Sequence, residues 1–179
     1  MALSNTSLRA YLSVKTGAAG NSTAQGDANL SLGKWLSTTA APSALNAWFD
    51  AATPARNAAG EVDYRCGFVR NLDATLTALT YKLWMQGGDP AGGPTWAIAL
   101  DTTAASPIGS ASAQALEIAN DTTAPAGLTW VTPTTEGTGL PFGDIPPGYC
   151  RPFWVRRTQT NTTASTEWIY LHHGFDTLG

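Results

Sequence analysis

Charge is scarce in this chain. Asp, Glu, Lys and Arg make up only 13% of its 179 residues, against about a quarter in an average soluble protein. Ten Lys and Arg are outweighed by thirteen Asp and Glu, for a formal net charge of −3. That balance offers no basic footprint for tracking phosphates, so no nucleic-acid partner is expected. Cysteine is nearly absent, with Cys66 and Cys150 the only two. Two thiols so far apart do not make a zinc site, which draws on closely spaced ligand pairs. They read as small buried hydrophobes, the alternative being a disulfide formed outside the cell.

Histidine is equally rare. His172 and His173 are the only two, and adjacent residues on a strand point to opposite faces, which denies them a shared metal. No metal site is expected. The glycine-rich nucleotide loops, the Gly-x-Ser-x-Gly elbow and the His-Glu-x-x-His helix are all missing, so nucleotide, hydrolase and zinc-protease chemistry has no anchor. The carboxylates are too scattered to single out a glycosidase pair. No catalytic residue and no cofactor is expected. No apolar run approaches the roughly 20 residues of a membrane span, and Met1 to Asn5 lacks the basic start and apolar core of a signal peptide. The expectation is a cytoplasmically made protein with no membrane partner.

The sequence is instead rich in Thr, which occurs 25 times and often in pairs, among 18 Gly and 11 Pro. β-branched residues interrupted by turn formers favour strands joined by turns. With 43% hydrophobic residues, a chain of this length fills a single core. Residues 1–36 read as an N-terminal strand followed by an extended arm or loop, because Gly17, Gly20, Gly26 and Gly33 break any helical pattern from Ser13 onward. Residues 37–179 read as the body. Ser43 to Asp50 suggests one or two helical turns capped by Ser43, followed by a turn region to Gly60. Strands are expected over Tyr64–Asn71, where Val69 breaks strict alternation, and over Ala74–Gln86, Trp96–Leu100, Ala115–Ala119, Leu128–Val131, Tyr149–Arg157 and Glu167–His173. The fold expected is mainly β: an antiparallel β-sandwich, a jelly roll being one such arrangement, with an extended N-terminal arm.

Seven Trp are spread along the whole chain, which favours core filling over a sugar-stacking platform. Asn-x-Ser/Thr triplets, among them those that begin at Asn5, Asn21, Asn120 and Asn161, occur at a frequency that a Thr-rich sequence produces by chance. Arg65, Arg70, Arg151, Arg156 and Arg157 are one of the few concentrations of charge. Guanidinium groups fork onto carboxylates or stack on aromatic rings, so these five are candidate partner contacts, with internal salt bridging across the sheet as the alternative.

Several blocks, in this order, resemble a family of small structural proteins of tailed-phage particles: Ser31-Leu32-Gly33, Ala59-Gly60-Glu61-Val62-Asp63-Tyr64-Arg65-Cys66, Val69-Arg70-Asn71, Ala119-Asn120 with Thr123-Ala124-Pro125-Ala126-Gly127, and Gly143-Asp144-Ile145-Pro146-Pro147-Gly148 followed by Trp154-Val155-Arg156-Arg157-Thr158. The similarity spans about residues 30–179, and the Tyr-Arg-Cys and Trp-Val-Arg-Arg blocks are its most specific parts. It implies a virion component without catalysis, made in the host cytoplasm. From this we expect a capsid decoration, or cement, protein on the capsid surface, with the major capsid protein as partner and a homotrimer as its assembly. A neck or tail component would look similar from sequence, and a carbohydrate-binding module is the remaining alternative.

Overall fold

The computed structural model describes residue 3 and residues 6–16, 22–88, 93–160 and 168–177. Among them lie nine strands: β1 (Leu8–Val14), β2 (Trp35–Ala40), β3 (Val62–Asn71), β4 (Ala78–Gly88), β5 (Thr95–Leu100), β6 (Ser106–Pro107), β7 (Leu140–Ile145), β8 (Tyr149–Thr158) and β9 (Trp168–Asp176). All pairings are antiparallel. One sheet runs β2-β1-β3-β8-β5 with β6 also on β8, and a smaller one runs β7-β4-β9. The protein is thus mainly β, with two antiparallel sheets packed as a curled sandwich.

The space between the sheets is filled by one face of each. Leu8 and Leu12 of β1, Val69 of β3, Phe153 and Val155 of β8 and Ile98 of β5 meet Tyr81, Leu83 and Met85 of β4, Phe142 of β7 and Ile169 of β9. The other face of the large sheet is also buried. Tyr11, Leu36, Tyr64, Cys66, Phe68 and Trp154 are covered there by Leu32, Ala115 and Ile118, with Trp130 packed alongside. This explains Val69. It faces the small sheet while Phe68 faces the second core, and a strand buried on both sides reads as a near-continuous apolar run instead of an alternation.

Strands expected at 115–119 and 128–131 shrink to isolated bridges, Gly33 to Glu117 and Ile98 to Val131. Their segment serves as a cover held by side chains. Buried Asp101 accepts from the Trp154 indole at 2.6 Å and from the Leu116 amide at 3.1 Å. The helical turn near Ser43 is real, a 3-10 turn over Leu45–Trp48, but its N-cap is Ala44 and no side chain caps it. The turn region before Gly60 contains a helix, α1 (Pro54–Ala59). Thr53 accepts from the Arg56 amide at its start, and Gly60 ends it in the left-handed conformation at φ 62°.

The segment expected as an extended arm runs, over its described residues, along its own body. The Ser13 amide donates to the Ser31 hydroxyl at 2.7 Å, and the Gly33 amide donates to the Ser13 hydroxyl at 2.8 Å. Ser31 in turn donates to the Cys66 carbonyl at 2.6 Å. Leu32 and Leu36 are buried.

Two irregular segments stitch the sheets together at their edges. On one side the Ala41 amide donates to Ala10 of β1 at 2.9 Å, and the Leu171 amide of β9 donates to Ser43 at 3.4 Å. On the other, Ile98 of β5 exchanges two 2.9 Å hydrogen bonds with Val131, and the Met85 amide of β4 donates to Pro133 at 2.9 Å.

Candidate functional site

β3 and β8 form the centre of the large sheet, and their odd-numbered positions face the small sheet. At the Val62 end that face carries charge. Asp63 and Arg157 are direct partners in the ladder, and Arg65 follows Asp63 on the same face. Asp63 accepts from Arg157 Nη2 at 2.8 Å and Nε at 3.2 Å, from Gln159 Nε2 at 3.2 Å, and from Arg56 of α1. Arg56 also binds Glu61 at 2.7 Å and approaches Asp121 at 3.7 Å.

Arg65 is fully buried and uses its whole fork. It donates to the Trp48 carbonyl at 3.1 Å, the Tyr64 carbonyl at 2.9 Å, Asn29 Oδ1 at 3.0 Å and Asp121 Oδ2 at 3.4 Å. The Phe49 ring lies between two guanidinium groups, Arg65 and Arg157, each 4.8 Å from its centroid. Burial lowers the pKa of Arg65, and the nearby Asp121 and Asp63 act against that shift. For Arg56 the hydrogen bond with Glu61 prevails and raises it. Three guanidiniums face three carboxylates, so the cluster is close to neutral. Its charged members are paired within the protein, and the cluster latches α1, the Asn29 turn and the Asp121 loop onto the central strands.

Arg65 and Arg157, expected as partner contacts, are therefore interior residues. The reason is alternation: both side chains point into the space between the sheets, where cross-strand salt bridging, the alternative reading, takes them up. Arg151 shares that face at the opposite end of β8. It donates to the Phe142 carbonyl, and burial lowers its pKa. Arg70 and Arg156 lie on the opposite face, stacked over Tyr11 at 5.3 Å and Trp130 at 5.0 Å. Arg70, Arg151 and Arg156 are half-buried and keep part of their surface for a neighbour. Arg56, Asp63 and Asp121 escaped sequence reasoning because nothing in their spacing marks them. The register of β3 against β8 sets Asp63 beside Arg157, and α1 and the Asp121 loop bring Arg56 and Asp121 to them.

Cys66 and Cys150 are both free and buried. Cys66 pairs with Trp154, and Cys150 with Arg70, which separates their Cα atoms by four ladder positions, about 13 Å. A disulfide spans at most about 7 Å between Cα atoms. His172 and His173 take opposite faces as expected: His172 stacks on Trp84 at 6.0 Å outside, and His173 sits 5.6 Å from the Tyr81 ring inside. Trp48, Trp96 and Trp154 are core residues, while Trp35, Trp84 and Trp130 are half-buried. Of the four glycosylation-type triplets named from the sequence, the one at Asn120 lies within the described residues. Its side-chain oxygen is held by the Thr122 amide at 3.2 Å and the Thr123 hydroxyl at 2.8 Å. Asn5, Asn21 and Asn161 lie outside the described residues, as does the side chain of Trp168. Among the described residues no group of His, Cys, Asp or Glu is arranged to hold a metal ion, and no helix is long and apolar enough to cross a membrane.

Comparison with known proteins adds no relative: no family model, no curated protein and no solved structure matches the chain.

Proposed function

We propose that this chain is a non-enzymatic structural protein of a tailed-phage particle, one that binds the outer capsid shell as a decoration protein. Its partner in this reading is the major capsid protein, and its self-association is a homotrimer. The observation that carries the reading is the place of its two most specific sequence blocks. Tyr64, Arg65 and Cys66 pair directly with Arg156, Val155 and Trp154 in the β3–β8 ladder. The blocks that resemble phage virion proteins are thus two halves of one structural element, spent on core packing and internal ion pairs. The chemistry-bearing groups of that element are occupied within the protein, as suits a protein that works by binding.

The test mixes purified protein with capsids genetically stripped of it, counts the copies bound, and measures capsid survival under heat and chelation. Saturation at hundreds of copies with a more robust shell is the expected result. Binding of a dozen copies or fewer moves the protein to the neck or tail.

One observation favours a second reading, carbohydrate binding. The outer face of the small sheet presents the Trp84–His172 stack and, two ladder pairs further, exposed Tyr170 opposite Gln86. Exposed rings on a sheet are the surface on which sugars stack. Tryptophan fluorescence titrated with bacterial surface glycans decides this: no change removes the reading.

A further inference from the structure

β4 outruns its neighbour β7. The last pair on that side is Leu83 with Leu140, yet β4 continues to Gly88. Just past the end of β7 the Met85 amide donates to the Pro133 carbonyl at 2.9 Å, which fixes the direction of the main chain there. In an antiparallel ladder the amide and carbonyl of one residue point to the same side, and those of every second residue follow. The N–H and C=O of Gly87 therefore point the way the Met85 amide does, away from β9. No described residue bonds to either on that side, and Gly87 is exposed.

The same point opens onto a cleft of about 240 Å³. Met85, Trp96 and Ile169 are its apolar walls, exposed Thr132 and Thr134 also line it, and no charged side chain does. Gly87 and Ile169 are ladder partners and share the inner face. A side chain at position 87 would project there, and glycine leaves the room open, as it does where another backbone approaches. A free main-chain donor and acceptor beside an apolar pocket is the arrangement that takes an added strand: the backbone bonds hold it, and the pocket selects a side chain.

We propose that a partner protein lays a short extended segment against this end of β4. One of its residues exchanges both main-chain hydrogen bonds with Gly87 and sends an apolar side chain inward among Met85, Trp96 and Ile169. Directly paired residues share a face, so the side chain opposite Gly87 enters the cleft without a change of register. The volume lies below the usual range for drug-sized ligands, about 300–1,000 Å³, and suits one side chain. The absence of lining charge selects an uncharged segment. The inference does not rest on the capsid reading.

The experiment follows the amide signals of the full 15N-labelled chain during titration with the blocked tripeptide acetyl-Thr-Leu-Thr-amide. In the free protein the Gly87 amide exchanges with solvent faster than the Met85 amide. The peptide is expected to move the Gly87 amide proton downfield, saturably, and to slow its exchange. Methylating the Leu nitrogen of the peptide removes a donor and weakens binding about fivefold. Ala in place of its Leu weakens binding about tenfold. Gly87→Val, a residue suited to a strand, fills the cleft and abolishes binding, while the two altered peptides test the same contacts on the unaltered protein. A Gly87 amide already protected in the free protein, no saturation, or equal affinity for the methylated peptide would overturn the proposal. So would equal affinity for 3-methylbutanol, which carries the Leu side chain without a backbone, or a Gly87 shift on concentrating the protein alone, which would assign the groove to a second copy.

Discussion

Asp63 and Arg157 stand directly opposite each other in the β3–β8 ladder, and their side chains meet at 2.8 Å with both residues buried. Removing one partner leaves the other charge stranded, a loss of about 3–5 kcal/mol for a buried pair. Asp63→Asn strands Arg56 as well as Arg157. It is expected to destabilise by at least that range, measured by urea denaturation. Arg157→Met alone also destabilises, and the double variant costs less than the sum of the two singles. Strict additivity would show that the pair does not interact as drawn.

Gly67 lies between Arg65 and Val69 on the same inner face of β3. A Cβ at this position would sit 2.6 Å from Trp48 and 2.7 Å from Phe153, both in ring carbons. These rings are fully buried and have nowhere to retreat, so Gly67→Ala should cost about 1–3 kcal/mol or more. The penalty shrinks in a Phe153→Leu background, which frees the space the methyl needs. Thermal melts of the four variants test this.

His173 carries a pKa below its ordinary value, chiefly because burial penalises the imidazolium, with His172 adding repulsion. The unfolded chain therefore takes up a proton at higher pH than the folded one. Stability is complete above the unfolded value of about 6.5 and declines as pH falls from there toward the folded value. His173→Asn flattens this part of the stability profile, and His172→Asn leaves most of it in place. An unchanged slope in His173→Asn would assign the acid sensitivity to other groups.

Burial pushes the thiol of Cys150 up to about 11 and raises that of Cys66 well above its ordinary value. Thiolate is the reactive form, so both cysteines resist alkylation at pH 8 in the folded protein and react together once urea unfolds it. A reductant should leave the melting temperature unchanged, because no disulfide joins them. Fast labelling of either thiol without denaturant would contradict the burial described.

Tyr81→Phe removes a hydroxyl that bonds to nothing described. Its loss gives up no hydrogen bond, so the variant is expected to be as stable as the parent or slightly more so, a result read directly from its melt. A loss beyond about 1 kcal/mol would mean that the hydroxyl has a partner worth a typical hydrogen bond.

Most of the long strands were legible in the sequence. Tyr149–Arg157 and Glu167–His173 correspond to β8 and β9, and Trp96–Leu100 to β5, because β-branched and aromatic residues between turn formers leave few other options. Elements held by their neighbours were not. β7 (Leu140–Ile145) contains a proline and a glycine, and β2 (Trp35–Ala40) has only two buried positions. Each relies on its position beside β4 or β1. The charged cluster was half legible. The arginines stood out, but Asp63 looks like any carboxylate until strand register sets it against Arg157.

The seams at residues 41–44 and 131–133 also bear on how copies meet. The 43–44 segment bridges β9, Val131 bridges β5, and the Thr38 amide of β2 donates outward to Thr23. Each of these outer strands already shares main-chain hydrogen bonds with its own chain at one point, which interrupts the edge that a neighbouring strand would have to pair along. Exposed strand edges are the usual starting point for runaway fibre growth. Copies crowded at high local concentration would then meet through side chains and loops and remain separate bodies, each able to leave intact.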